Sequence, residues 1–103
     1  MNRDKALNML SIAAKGRNLS SGEFQTEESI KDGKACLVIV AGDASENTKK
    51  HFSDMCSYYQ VPLIFYSNRE ELGRAIGKEF RALVAVNDKG IADRVLVLTD
   101  NKE

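Results

Sequence analysis

The sequence predicts an α/β fold, a three-layer α/β/α sandwich in which helices cover both faces of a small sheet. Helix-like and strand-like segments alternate along the 103 residues, an order typical of strands joined by crossover helices. Residues 35–41 form a nearly continuous apolar run, typical of a central strand that is buried on both faces. From the alternation we expect a largely parallel sheet, and from the length one domain over residues 1–103.

The first third of the chain contains two predicted helices and a connector. Residues 2–15 carry alanine and leucine at helical spacing, and Gly16 is placed to end that helix. Residues 17–22 form a connector with room for a brief strand. Residues 24–32 predict a shorter and unusually polar helix that ends at Gly33, so most of its surface must face water or a partner.

The middle of the chain predicts a buried strand followed by a capped amphipathic helix and a second strand. Asp43 and Ser45 are residue types that cap helix N-termini. Apolar and aromatic residues then recur at helical spacing, and Pro62 breaks the helix. Residues 63–66 form the second strand. The inward positions of this third helix are predicted to be Thr48, Phe52, Met55, Cys56 and Tyr59.

The last third of the chain predicts a helix, a strand and a final helix. Asn68 and Glu71 have the spacing of a capping box, and Asp88 is placed to cap the last helix. Residues 83–86 form the strand between these helices. The inward positions are predicted to be Leu72, Ala75 and Ile76 in the fourth helix, and Ile91, Val95 and Leu98 in the last.

Composition and charge exclude several classes of protein. The hydrophobic fraction of 43% and the charged fraction of 29% are those of an ordinary soluble protein. No apolar run approaches the roughly 20 residues of a membrane span, and we expect a cytoplasmic protein without a signal peptide. Fifteen basic residues balance fifteen acidic ones. Because nucleic-acid affinity comes largely from basic side chains that replace counterions, an RNA-binding face would have to be a local basic patch.

The residues that carry enzyme chemistry are absent or isolated. No glycine-rich phosphate loop is present, and Ser20-Ser21-Gly22 lacks the flanks of a nucleophile elbow. Asp43 follows a strand and could be a catalytic carboxylate, but its position favours a helix cap. His51 is the only histidine and is interpreted as a surface residue. Cys36 and Cys56 are interpreted as reduced, small hydrophobic residues. Since none of these residues forms a pattern typical of a metal, cofactor or catalytic site, we expect no metal site, no cofactor and no catalytic activity.

Several blocks of sequence together resemble a known family. Their order and spacing resemble those of the L7Ae/L30e ribosomal protein family, and most of all its small bacterial YlxQ-type members. The resemblance covers nearly the whole chain. The blocks are Ser21-Gly22-Glu23, the spacing from Gly22 to Gly33, Asp43-Ala-Ser-Glu-Asn-Thr-Lys-Lys50, Val61-Pro62, Glu71-Leu-Gly-Arg-Ala-Ile-Gly-Lys78 and Val84-Ala-Val-Asn-Asp-Lys-Gly-Ile-Ala92.

The resemblance implies an α/β/α sandwich with a four-stranded mixed sheet, whose members commonly bind kink-turn RNA. A kink-turn is a helix–bulge–helix that bends sharply beside tandem sheared G·A pairs. In such members the short second helix enters the widened groove at the kink, and a later loop covers a splayed-out bulge nucleotide. This agrees with the general physics of RNA recognition, since distorted sites expose base edges that a regular A-form groove hides.

The resemblance assigns the first RNA contact to the segment that begins at Ser21 and Gly22 and continues into the second helix. Gly22 would let a phosphate approach the backbone, and the helix N-terminus would offer it free N–H groups. Gln25 can hydrogen-bond a base edge through its amide. Phe24 could stack on a base or could instead anchor the helix in the core.

The family typically has an asparagine, an acidic residue and a lysine at the positions of Phe24, Gln25 and Glu28, and Glu28 is the most serious of these departures. A lost lysine–guanine contact costs about 1–3 kcal/mol, and a carboxylate that faces acceptors adds repulsion. Glu23 and Glu27 make the segment more acidic still. Lys31 and Lys34 are positioned to compensate from the same side.

The second contact implied by the resemblance lies at residues 78–81. Lys78 and Arg81 can meet phosphates, and Phe80 or the plane of Arg81 can stack on a base. An inward-packed Phe80 with solvated charges is the alternative.

Together these observations predict non-catalytic binding of structured RNA, either a kink-turn or a related kinked or bulged motif. The partner would be ribosomal or translation-related RNA, and the protein would act as a monomer. The alternative is a protein-interaction module, or an RNA-binding-deficient paralogue that retains the scaffold.

Overall fold

The computed structural model of the protein describes residues 4–100. Each predicted helix and strand has a counterpart, while the predicted helix start at residues 2 and 3 lies outside the described residues. Within the described part, the elements in chain order are α1 (Lys5–Lys15), β1 (Leu19–Ser21), α2 (Glu23–Lys31), β2 (Leu37–Val40), α3 (Glu46–Tyr59), β3 (Leu63–Phe65), α4 (Arg69–Ala75), β4 (Leu83–Val86) and α5 (Lys89–Asp100).

Helices cover both faces of the sheet, as predicted. Successive residues of β2 and β4 point to opposite faces, and all of them are buried. On one face they pack against α2 and α3, with Ile30 and Phe52 at the centre. On the other face they pack against α1, α4 and α5, with Leu10, Leu72 and Val95 fully buried. The continuous apolar runs therefore mark the two central strands.

The sheet is mixed, with strand order β1-β4-β2-β3. Of the three pairs of neighbouring strands in this sheet, only β2 and β3 pair in parallel, since β4 runs antiparallel to both β1 and β2. The expectation of a largely parallel sheet is therefore wrong, whereas the four-stranded mixed sheet implied by the resemblance is confirmed. The physical reason lies in α4, which is only 7 residues long. It does not return the chain along the sheet, so Leu83 begins beside Val40, which also pairs with Phe65, the last residue of β3.

One end of the sheet carries both predicted contact segments, and we call it the carboxyl edge. Here β1, β2 and β3 end and β4 begins. The turns that lead into α2, α3 and α4 start from this edge. The opposite end carries the start of β1 and the end of β4, where Leu19 pairs with Val86.

Helix caps follow the sequence signals closely. Ser45 caps α3, Asn68 caps α4 and Asp88 caps α5, and each side-chain oxygen accepts the backbone N–H three residues further on, at 3.1, 2.8 and 2.9 Å. Such caps satisfy backbone donors that the helix leaves unpaired. Gly16 ends α1, as predicted.

Asp43 supports a different helix from the one predicted. Its Oδ1 accepts the backbone N–H of Arg69 at 2.9 Å, in the first turn of α4 rather than α3. The backbone N–H of Gly42 donates to the Ser67 carbonyl at 2.9 Å, which brings the two turns together. Asp43 thus has a structural partner, and Ser45 is the cap of α3.

Fewer residues of α3 are buried than its periodicity predicted. Phe52 and Cys56 are buried, whereas Tyr59 is 41% exposed and packs edge-on against Tyr58, with 4.9 Å between ring centroids. Tyr59 is exposed because it is the last residue of α3, at the end of the helix. Cys36 and Cys56 are free thiols, and only Cys56 is fully enclosed.

The burial of Cys56 predicts a pH-dependent loss of stability. Burial raises the pKa of this thiol from 9.0 to about 11. Because the folded state disfavours the thiolate, the free energy of unfolding should fall as the pH rises from the unfolded value towards the folded one. We expect this fall in urea titrations between about pH 9 and about pH 11, and a shallower one in Cys56→Ala. Equal slopes in the two proteins would contradict the assignment.

Candidate nucleic-acid interface

The turn from β1 to α2 is open and backbone-rich. Gly22 has φ 86° and is the N-terminal cap residue of α2, with no side-chain cap for the first amides. A Cβ at Gly22 would meet nothing within 4 Å, so the glycine is required by its backbone angle rather than by crowding. Its N–H donates to the Leu83 carbonyl at 3.1 Å, which fixes the turn to β4.

A polar network beneath α2 fixes the orientation of the helix. Ser29 Oγ donates to Asn87 Oδ1 at 2.6 Å, and Asn87 Nδ2 donates to Ser20 Oγ at 3.1 Å. The network ties α2 to both β1 and the end of β4, next to the buried Ile30. The sequence did not predict this network, although Ser29, a small polar residue beside Ile30, could have indicated a hydrogen bond beneath the helix. The outer face of α2 then carries Phe24, Gln25, Glu28 and Lys31, all exposed.

Both aromatic candidates lie at the surface. Phe24 is 71% exposed and Phe80 is 60% exposed. The alternatives in which Phe24 anchors the helix in the core and Phe80 packs inward are therefore wrong. Phe24 follows the β1–α2 turn and Phe80 lies in the loop before β4. Because both rings are exposed, their faces are available for stacking.

Two of the three glutamates of α2 turn towards α3. Glu23 Oε2 accepts the Thr48 hydroxyl at 2.9 Å. Glu27 Oε2 lies 2.9 Å from Lys31 Nζ, and Glu27 Oε1 lies 3.7 Å from His51 Nε2. The hydrogen bond from Lys31 is the main cause of the lowered pKa of Glu27, and the same bond raises the pKa of Lys31. Lys31 thus balances the charge of Glu27, whereas the neutral Thr48 hydroxyl gives Glu23 a hydrogen-bond partner without cancelling its charge.

Glu28 is the one glutamate of α2 without a direct partner among residues 4–100. Its side chain is exposed and forms no hydrogen bond or ion pair with any residue between 4 and 100. Lys31 is hydrogen-bonded to Glu27, and its longer-range attraction to Glu28 is the smallest cause of the raised pKa of Lys31. Lys34 is exposed beyond the helix end and forms no ion pair within the described part of the chain.

Residues 78–81 form a loop that rests on α4. The backbone N–H of Lys78 donates to the Gly73 carbonyl at 2.7 Å, and that of Arg81 donates to the Arg69 carbonyl at 3.1 Å. Gly73 lies so close to the loop that a Cβ there would be 2.5 Å from the Glu79 carbonyl oxygen. The side chain of Lys78 is exposed and has no ion-pair partner among residues 4–100. The loop is thus held on α4 by backbone contacts.

Arg81 joins the two predicted contact segments. Its Nε donates to Ser21 Oγ at 3.3 Å, and its Nη1 donates to the Phe80 carbonyl at 2.8 Å. Ser21 and Arg81 are 60 residues apart in sequence. The structure therefore brings the start of α2 and the 78–81 loop together at the carboxyl edge, with Gly22 and Phe80 next to the two bonded residues.

The residues considered for catalysis are not assembled into a site. The His51 side chain is 55% exposed and interacts with Glu27, and its ring packs edge-on against Phe52. The Asp43 carboxylate accepts the backbone N–H of Arg69 at the start of α4. Residues 4–100 contain no group of three or more side chains suited to hold a metal ion. In the same part of the chain, every helix is too short or too polar to cross a membrane.

The fold and these motifs match a known family. The model of the "Ribosomal protein L7Ae/L30e/S12e/Gadd45 family" matches residues 4–95. The chain belongs to this family. The match includes every element from α1 to β4, and with them both candidate segments.

Two curated relatives are bacterial proteins named RNA-binding protein YlxQ. The protein from Bacillus subtilis (strain 168) is 42% identical over 92 residues, which cover 89% of this chain and 92% of that protein. The protein from Enterococcus faecium is 39% identical over 99 residues, which cover 96% and 95% of the two chains. The resemblance to YlxQ-type members is therefore confirmed.

Solved structures share the fold. A protein of unknown function from Bacillus halodurans matches with a TM-score of 0.93 and 39% identity, over 96% of this chain and 100% of that one. The Giardia lamblia 15.5kD RNA binding protein matches with a TM-score of 0.74 and 23% identity, over 95% and 93%. The second likeness supports the architecture alone.

The contact between Gly73 and the loop predicts that Gly73→Ala is destabilising. The added methyl group would push against the Glu79 backbone, 2.5 Å away, and we expect a loss of about 1–3 kcal/mol in the free energy of unfolding. Urea denaturation measures the loss. Gly90→Ala in α5 is the control, because its nearest contact is the side-chain tip of Asp88 at 3.3 Å. Equal stability of Gly73→Ala and the wild type would show that the loop does not rest on α4.

Proposed function

We propose that this protein binds structured RNA, a kink-turn or a related kinked or bulged motif, without catalysing a reaction. The observation that carries the proposal is the junction at the carboxyl edge, where the open N-terminus of α2 and the 78–81 loop lie side by side. Membership of the family and the names of its bacterial relatives support the same function. The proposal extends to a monomer that acts in the cytoplasm on ribosomal or translation-related RNA.

The α2 segment would dock on the kink. A phosphate can approach the backbone at Gly22, where no side chain interferes, and accept the free amides of the first helical turn. One turn further, Gln25 offers an amide that both donates to and accepts from a base edge. The exposed ring of Phe24 lies beside it on the same helix and can stack on a base. Distorted RNA satisfies this arrangement, since its base edges and faces are accessible.

The 78–81 loop would hold an unpaired nucleotide beside the kink. The exposed Phe80 ring supplies a stacking surface, and stacking of this kind tolerates any base. The Lys78 ammonium is free to meet a phosphate, and the guanidinium of Arg81 has five donors, of which the two contacts described above use two. A splayed-out bulge nucleotide fits this combination better than a stacked one.

The alternative function has one observation in its favour. Glu28 is exposed on the helix face that would meet RNA and has no direct partner among residues 4–100. A protein-interaction module, or a paralogue that has lost RNA binding, would retain the scaffold and tolerate this carboxylate. With fifteen basic and fifteen acidic residues, the protein as a whole has no excess positive charge to offset it. The two functions differ in whether RNA with a kink is preferred.

A titration distinguishes them. The protein is mixed with a kink-turn RNA and with a control RNA whose G·A pairs are replaced by Watson–Crick pairs, at about 50 and about 200 mM salt. We expect the kink-turn to bind at least about tenfold more tightly at both salt concentrations, because the control hides the base edges that α2 would contact. Equal, weak binding to both RNAs would reject the RNA proposal in favour of the alternative.

Glu28→Lys should tighten binding to the kink-turn. The substitution removes repulsion from RNA acceptors and adds a cation, and we expect the Kd to fall by about tenfold. If the new lysine meets a phosphate, the slope of log K against log salt should steepen by about 0.7–0.9. Asp93→Lys makes the same charge change on α5, in the opposite helix layer, and should have a much smaller effect. Equal responses of the two variants would place the interface elsewhere.

A further inference from the structure

Arg81 contacts both halves of the candidate interface, which gives it a role that a phosphate contact alone does not explain. Its Nε–H reaches Ser21 Oγ at 3.3 Å and its Nη1–H reaches the Phe80 carbonyl at 2.8 Å. Ser21 directly precedes Gly22, and Phe80 carries the exposed ring of the loop. One guanidinium therefore spans the gap between the two segments.

The backbone on either side of this contact is already anchored. The N–H of Gly22 donates to the Leu83 carbonyl, and the N–H of Arg81 donates to the Arg69 carbonyl, both at 3.1 Å. These bonds fix the Phe80–Arg81 peptide to α4 and the β1–α2 turn to β4, but neither of them joins the 78–81 loop directly to the turn. The bond from Arg81 Nε to Ser21 Oγ makes that connection, while the bond from Nη1 to the Phe80 carbonyl lies within the loop and holds the guanidinium against it.

We propose that Arg81 is a positioning residue that couples the two RNA-contacting segments, so that Phe80 and the N-terminus of α2 meet the RNA as one preorganised unit. The inference rests on the proposed function and adds to it how the two contacts act together. Fixing the segments before binding lowers the entropy lost on binding. The coupling needs the planar fork of arginine, because a lysine ammonium retains the charge but is a point donor on a flexible stem.

Arg81→Lys separates this role from a simple charge. We expect it to weaken binding of the kink-turn RNA by about fivefold, the worth of a typical hydrogen bond, with no change in the salt slope, because the charge is retained. Ser21→Ala should weaken binding to a similar extent, also with an unchanged slope. The double variant should bind little more weakly than either single variant, since both remove the same coupling.

Lys78→Ala is the matched control on the same loop. It removes a charge without touching the junction, so it should weaken binding and make the salt slope shallower. Wild-type affinity in both Arg81→Lys and Ser21→Ala would overturn the coupling, and so would additive losses in the double variant. Thermal unfolding followed by circular dichroism checks that each variant is folded. Ser21→Ala alone decides the question if Arg81→Lys does not fold.

The coupling can also be measured without RNA. In NMR spectra of the free protein, Ser21→Ala should shift the Arg81 Nε–H and Phe80 amide signals. Ser20→Ala is the control, because the neighbouring serine is bound by Asn87 at 3.1 Å instead. Unchanged Arg81 and Phe80 signals in Ser21→Ala would contradict the coupling even if the RNA is bound selectively. If the wild-type protein does not prefer the kink-turn RNA but Ser21→Ala still shifts these signals, the proposed function is contradicted and the coupling is not.

Discussion

The direction of β4 is the constraint on which the rest of the molecule depends. β4 lies between β1 and β2 and runs antiparallel to both. Its first residues therefore lie at the edge where the other three strands end, and the loop before it lies beside the turn into α2. Were β4 parallel to β2, the loop would enter from the opposite edge, about 13 Å away for a strand of four residues. The contact between Arg81 and Ser21, 60 residues apart, exists because of this direction.

Much of the fold could be predicted from local sequence, because the signals that define each element are local. Ser45, Asn68 and Asp88 cap the helices that their spacing indicated, and the continuous apolar runs are the buried central strands. The direction of β4 could not be predicted from alternation, since it depends on whether α4 returns the chain along the sheet. Asp43 was assigned to the wrong helix for a similar reason, because its partner Arg69 is brought close only by tertiary packing.

The candidate site was predictable as two segments but not as one surface. Its members followed from motif resemblance, whereas their surroundings depend on contacts between distant elements. Three glutamates in α2 suggest a strongly acidic helix. In the structure Glu23 is hydrogen-bonded to Thr48 and Glu27 is paired with Lys31, so only Glu28 has no direct partner among the described residues. Which carboxylates face a partner is a tertiary property, and composition alone overstates the charge that RNA would meet.

The fixation of α2 has a consequence for how this protein can diverge. The helix is held at its start through Gly22 and Leu83, and towards its end through Ser29 and Asn87. Held at both places, it cannot easily roll about its axis, so a substitution on its outer face changes the chemistry presented there without changing the direction in which it points. The scaffold can therefore exchange one binding specificity for another while folding and packing stay the same. A position such as Glu28 is free to vary because Ser29, its neighbour in sequence, holds the helix in place.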